Sequence, residues 1–199
     1  MEEWSEVELF AAIKDGDKKA LSVLFLRYYD FLKHYGLRIS SSPDLVEECI
    51  QELFIYIFEA YGRLGQVKNV KAYLFQSLRR RIIEKLGRER RLKEGGRELS
   101  FLTDFQFSSE DLSIKKDGQD HIQEALAQAL NDLSWRQKEA IYLRYYNGLR
   151  TKEIAEIMGV ANQTILNTLY QALKKIRKDK RLKKVFGATT SFLLIIGFA

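Results

Sequence analysis

Apolar residues recur three and four positions apart over most of this chain, the mark of helices that each bury one face. The spacing predicts a first helix over residues 7–15, closed at Gly16, and a second over 18–35. On the second, Leu21, Leu24, Phe25, Tyr28, Tyr29 and Leu32 share the apolar side. Gly36 and the run 40–43 read as punctuation, with Ser42 as a helix cap and Pro43 in the first turn of the next helix. That third helix, over 44–61, carries Val46, Cys49, Ile50, Leu53, Phe54, Ile57 and Phe58 as a wide stripe. Its other face is Glu47, Glu48, Gln51, Glu52 and Glu59. After a loop with two glycines at 62–69, residues 70–93 form a fourth helix, with Leu74, Leu78, Ile82 and Leu86 inward and Phe75 and Ile83 flanking.

Periodicity fades over 94–120, where glycine, serine and aspartate accumulate, so this stretch reads as a linker. Phe101, Leu102, Phe105 and Phe107 are too much apolar surface for a free linker and are expected to pack. A helix over 121–133 turns Ile122, Leu126 and Leu130 inward. Ser134 and Gln137 have capping-box spacing and open the next helix, which runs through Tyr146 and stops at Asn147-Gly148. The stretch 149–178 is then a helix capped by Thr151 and closed by Gly159, a tight turn, and a second helix ending in lysine and arginine. The expected fold class is all-α: two small helical domains joined by a flexible linker, the C-terminal one a helix-turn-helix. The expected boundaries are 5–93, a linker at 94–120, 121–183, and an apolar tail at 184–199.

The polar faces point to chemistry. In the last helix Ile165, Leu169, Ala172, Leu173 and Ile176 form the packing side. Gln163, Thr164, Asn167, Thr168, Gln171, Lys174 and Lys175 form the other. Amides and hydroxyls reach base edges in a major groove and cations neutralise phosphate, as a recognition helix requires. In the fourth helix Tyr73, Gln76, Arg79, Arg80 and the basic run to Lys93 place a ring beside cations. That combination suits unstacked bases and their backbone; a basic solvated helix end is the plainer alternative. The acidic side of the third helix is either a solvated face or a dock for a basic partner.

Composition narrows the classes. The 199 residues are 46% hydrophobic, enough for a core, and carry 33 Lys plus Arg against 27 Asp plus Glu, a net +6. One proline fits a mostly helical chain. A lone cysteine, Cys49, rules out an internal disulfide framework and a cysteine-rich zinc site and reads as packing. His34 and His121 are far apart in sequence, so no metal or other cofactor is expected. No nucleophile–base pair or phosphate loop is visible, and no enzymatic activity is expected. The acidic, polar N-terminus lacks a secretory signal, and a cytoplasmic location is expected.

Together these segments resemble a bacterial extracytoplasmic-function sigma factor, over about residues 5–180. DLVEECIQELFIYIFE is similar to the family's region-two helix that docks on RNA polymerase. The resemblance implies that Glu48, Gln51, Glu52 and Phe54 bind the core enzyme. VKAYLFQSLRRRIIEKLGRERR is similar to the helix that contacts the minus-ten element, with Tyr73 at a usually aromatic position. Loop 62–69 falls where the family captures bases, which implies minus-ten contacts from Asn69, Lys71, Tyr73, Gln76, Arg79 and Arg80. Residues 130–178 resemble region four, which reads the minus-thirty-five element, implying contacts from the polar face of the last helix named above. The implied partners are core RNA polymerase, promoter DNA and an anti-sigma factor. The chain departs from the family pattern at Ser134, usually proline; at Ala161, often serine, where Asn162 is expected to take over capping; at Leu166 and Thr168, where basic residues are common; and at Arg80, often asparagine.

Two other readings stay open from residues alone. A regulator that binds duplex DNA as a dimer needs only the helix-turn-helix. A membrane-tethered adaptor would use the tail: KRLKK before VFGATTSFLLIIGFA fits contact with a membrane surface. The tail, about 15 residues, is short of the roughly 20 that span a bilayer, and packing on the linker phenylalanines or on a partner is an alternative.

Overall fold

The computed structural model describes residues 4–60, 62, 63, 65, 67, 69–94, 105–107 and 120–186. Among the described residues helix predominates and no strand occurs. The chain divides into two compact units, with the boundary just before Phe105.

The first unit holds α1 (Glu6–Lys14), α2 (Lys18–Ile39), α3 (Pro43–Glu59) and α4 (Val70–Glu94). Short polar residues start each helix by accepting otherwise unpaired N–H groups. Ser5 and Glu8 form a capping box, the Ser5 N–H donating to Glu8 Oε2 at 2.8 Å and the Glu8 N–H to Ser5 Oγ at 3.3 Å. Asp17 Oδ1 accepts from the N–H of Lys19 at 2.7 Å and of Ala20 at 3.2 Å. Ser42 caps α3 through the Leu45 N–H at 3.3 Å, with Pro43 in the first turn as expected. Helix α2 packs against the other three. Leu24, Leu32 and Tyr35 meet Val46, Ile50, Leu53 and Ile57 of α3 and Leu74, Phe75, Leu78 and Ile82 of α4 in a buried core. Each such side chain contributes roughly 1.5–3 kcal/mol relative to exposure.

Gly36 does not punctuate. Helix α2 runs through it to Ile39. A Cβ there would lie 2.5 Å from Val46 Cγ1 and 3.3 Å from Ile82 Cδ1. The absent side chain lets α2 press against α3 and α4, so a residue that reads as a stop is a close contact.

The second unit holds α5 (Asp120–Asn131), α6 (Trp135–Ile141), α7 (Thr151–Met158) as far as Ala155, α8 (Asn162–Lys178) and α9 (Lys180–Phe186). Gln137 Oε1 accepts the Ser134 N–H at 3.1 Å, opening α6 as the spacing predicted. The helix is not α-helical to Tyr146, however: Tyr142–Tyr146 is a π-helical turn, with the Asn147 N–H donating to the Tyr142 carbonyl at 3.2 Å. The rings of Tyr142 and Tyr146 stack there, centroids 5.2 Å apart and planes 17° apart.

Phe105 and Phe107 lie against those rings, each buried. Asn131 holds Phe107 at both backbone groups, accepting its N–H and donating to its carbonyl, each at 2.8 Å. Part of the expected linker therefore packs on the second unit; Phe101 and Leu102 lie outside the described residues.

Helix α9 was not expected. Its start is fixed by Asp179, whose Oδ1 accepts from the N–H of Arg181 at 2.8 Å and of Leu182 at 3.3 Å. Leu182 is buried, and α9 packs on α5 and α8. Among the described residues no helix is long and apolar enough to cross a membrane. The rest of the tail lies outside them.

Candidate protein and nucleic-acid interfaces

The acidic side of α3 is less free than its sequence implies. Lys33 of α2 bonds Glu47 at 2.6 Å, which holds the Glu47 carboxyl below its ordinary pKa and raises that of Lys33. Lys85 of α4 sits between Glu48 at 2.9 Å and Glu52 at 2.7 Å. Glu52 is therefore only half exposed and ties α3 to α4, where the sequence placed it facing solvent. Phe54 is 6% exposed and meets Phe25 edge-on, centroids 5.0 Å apart. Its ring supports the face more than it forms it. Gln51 is exposed, and with Leu21, Phe54, Ile55 and Phe58 it lines a shallow apolar depression. Ile55 and Tyr56 are exposed large apolar residues outside the expected set. Their signal was available: they fall off the buried stripe of α3.

On α4, Asn69 acts as a cap, its Oδ1 accepting the Ala72 N–H at 2.8 Å. The Lys71 ammonium lies 5.4 Å from the Phe31 ring centroid. Tyr73 is half-buried, edge-on to Phe10 at 5.7 Å, and that burial raises its phenol pKa. Gln76 and Arg80 are exposed and one turn apart, and Arg80 bonds Glu84 at 2.7 Å. Arg79 is half-exposed. Arg81, outside the expected set, stacks over Tyr56 at 5.3 Å and so joins the α4 cations to the α3 surface. The structure thus groups Tyr73, Gln76, Arg79 and Arg80 on one stretch of helix, while Asn69 and Lys71 serve local contacts at its start.

On α8 the buried side is Ile165, Leu169, Ala172 and Ile176. Gln163, Thr164, Asn167, Gln171 and Lys174 are exposed. Gln163 Nε2 donates to Asn167 Oδ1 at 3.3 Å, which aligns two amides along one face. The Thr168 hydroxyl is turned back to the Thr164 carbonyl at 2.8 Å. Lys175 reaches the Asp132 carbonyl within its own unit. These two residues are occupied by the fold in ways a helical wheel does not reveal. Leu166 and Tyr170 are exposed on the same helix, with the Lys174 ammonium 5.9 Å from the Tyr170 ring centroid.

The preceding turn differs from expectation in its caps. Arg150, not Thr151, precedes α7: its carbonyl accepts the Ile154 N–H at 3.0 Å and its own N–H donates to Glu153 Oε2 at 2.6 Å. Ala161, with no side-chain bond to offer, holds the cap position of α8, and Asn162 is the first helical residue. Gly159 closes α7 with φ 66°, the left-handed geometry a helix stop needs.

Comparison with known proteins matches these units to two family models. Sigma-70 region 2 matches residues 24–92 and Sigma-70, region 4 matches residues 123–176. The chain is 30% identical over 155 residues to the RNA polymerase sigma factor SigV of Bacillus subtilis, covering 75% of this chain and 82% of that one. It is 26% identical over 163 residues to the ECF RNA polymerase sigma factor SigK of Mycobacterium tuberculosis, covering 77% and 83%. Among solved structures it is similar to the sigma factor RpoE of Bartonella quintana, crystallised with the anti-sigma factor NepR. That match has TM-score 0.56 and 26% identity, and covers 84% of this chain and 98% of that one. The fold also matches CnrH, solved with the cytosolic domain of CnrY, at TM-score 0.56 and 17% identity, covering 85% and 92%.

Proposed function

The chain belongs to the extracytoplasmic-function group of the sigma-70 family, an RNA polymerase sigma factor that directs promoter recognition, and from that premise we propose how its faces divide the work. The first unit docks on core polymerase through α3. Ile55 and Phe58 supply the apolar contact, Gln51 an amide beside them, and Glu48 and Glu52 supply charge through a carboxylate pair that Lys85 keeps in place. The same unit holds melted minus-ten DNA along α4: Tyr73 offers a ring edge, Gln76 an amide, and Arg79 and Arg80 cations for the backbone. The second unit places α8 in the upstream major groove, where Gln163 and Asn167 read base edges and Gln171 and Lys174 approach phosphate. Thr164 flanks them. Thr168 and Lys175 position the helix instead.

The observation that supports this reading is that the two family regions fall mainly on two compact units. The work is recognition, not bond chemistry, and takes place in the cytoplasm, where the polymerase is. An anti-sigma partner is proposed by analogy with the RpoE–NepR complex. The domains are proposed to run 5–93 and 121–183, with the anchored segment 105–107 counted in the second.

The test is assembly. The full chain should co-elute with core polymerase, and the complex should retain promoter DNA that neither component retains alone. A chain that never associates with core, yet retains duplex DNA as a dimer, would return the reading to a helix-turn-helix regulator.

A further inference from the structure

Two large apolar side chains stand on the outside of α8, where the core makes no use of them. Leu166 is 43% exposed and Tyr170 62% exposed. A single exposed leucine is ordinary. This pair is set apart by position, because residues four apart are neighbours on a helix surface. Leu166 lies next to the aligned amides of Gln163 and Asn167, and Tyr170 lies under the Lys174 ammonium. Helix α8 carries Lys174, Lys175, Arg177 and Lys178 and no acidic residue, so its surface is complementary to a polyanion. An apolar strip between amides and cations needs an apolar feature on that polyanion. Duplex DNA has one in the major groove, the C5-methyl group of thymine.

We propose that Leu166, with Tyr170 beside it, is a specificity-determining contact to thymine methyl groups in the upstream promoter element. The proposal rests on α8 being the helix that reads that element. A basic side chain at this position would hold phosphate or guanine. Leucine does neither, and selects A·T pairs by taking a methyl out of water. Each methyl so buried is worth about fourfold in affinity.

The test uses the full chain with core polymerase on a promoter whose upstream element has been selected from a randomised pool. Each thymine of that element is replaced singly by deoxyuridine, which keeps the pairing and removes the methyl. The wild-type holoenzyme should lose about three- to fivefold in affinity at one or two positions. Leu166→Ala should bind thymine and deoxyuridine promoters equally, at the wild-type deoxyuridine level. Leu166→Arg should move the selection toward guanine at the same positions. If the wild type ignores every deoxyuridine but still loses binding when the whole element is scrambled, the methyl contact is overturned and the role of α8 stands. An equal deoxyuridine penalty in Leu166→Ala also overturns it. Indifference to scrambling overturns both.

Discussion

Gly36→Ala should destabilise the first unit, although alanine is the better helix former. Within a helix alanine is favoured over glycine by about 0.8–1.0 kcal/mol. Against that, the added Cβ would lie 2.5 Å from Val46 Cγ1 and 3.3 Å from both Val46 Cγ2 and Ile82 Cδ1. Val46 is fully buried, and valine in a helix has one strongly preferred χ1, so it has nowhere to turn. Overpacking of this kind costs about 1–3 kcal/mol, and a stiff neighbour puts it at the upper end. The net is about 2 kcal/mol of destabilisation. For a unit of this size that lowers the melting temperature by roughly 8–16 °C. Trp4 belongs to the first unit and Trp135 to the second, so thermal unfolding followed by fluorescence in a Trp135→Phe background reports the first unit alone. Gly87→Ala is the control: it lies in α4 with nothing within 4 Å of its Cβ, and should stabilise by about 0.5–1 kcal/mol. Adding Val46→Ala to Gly36→Ala should relieve the clash and give a favourable coupling of about 1–3 kcal/mol. A Gly36→Ala protein as stable as the wild type would refute the close-contact argument, and with it the account of how α3 is mounted.

Other outcomes rest on the same contacts. Gln163→Ala and Asn167→Ala should each cost about 1–3 kcal/mol of upstream-element binding and relax preference at one base pair, read by a reporter series over variant elements; unchanged preference would move both residues off the base edges. Glu52→Arg should weaken binding to core polymerase in a pull-down and leave Lys85 paired with Glu48 alone, whereas Glu52→Arg with Lys85→Glu should restore a pair between positions 52 and 85 but not the binding; unchanged affinity of Glu52→Arg for core would remove Glu52 from the dock. Cys49 is fully buried and its pKa is pushed up to about 11, so alkylation at pH 8 should wait on unfolding. The stability linked to that thiol is complete below its unfolded pKa and is lost as pH rises toward 11; rapid labelling of the folded protein would contradict its burial. Asp179, held below the ordinary aspartate range by Arg181, contributes stability that is present above that range and is lost as pH falls through its lowered value. Asp179→Asn should flatten the acid limb of a melting-temperature profile, and an unchanged limb would argue against its role at α9.

Much of the fold was legible because helical periodicity is a local signal and the caps at Ser42 and Ser134 are spelled in nearby residues. What was missed depends on packing between distant segments. Gly36 looks like a break until Val46 is set beside it. Helix α9 is short, and what holds it is Leu182 in the core and Arg181 bridging Asp179 and Asp132, none of which has a sequence period. The candidate interfaces were legible as polar faces, but the contacts each side chain makes within its own unit were not. Lys175, Thr168 and Asn69 share a polar face with the residues proposed to read DNA, yet each is taken up by a backbone group of its own unit. Phe54 stands beside the proposed docking face and is buried in the core. Ile55 and Leu166 carry the opposite lesson: both fall off the buried stripe of their helix and are exposed, which periodicity alone already predicts.

The most direct test of the central claim, that two helical units read one promoter together on polymerase, is single-round transcription with purified core enzyme. The account predicts no specific transcript from core alone and a single start site when the full chain is added. It also predicts loss of that transcript when either the upstream or the downstream element is scrambled. A chain that supports no specific start with core, or one whose start survives scrambling of either element, would contradict it.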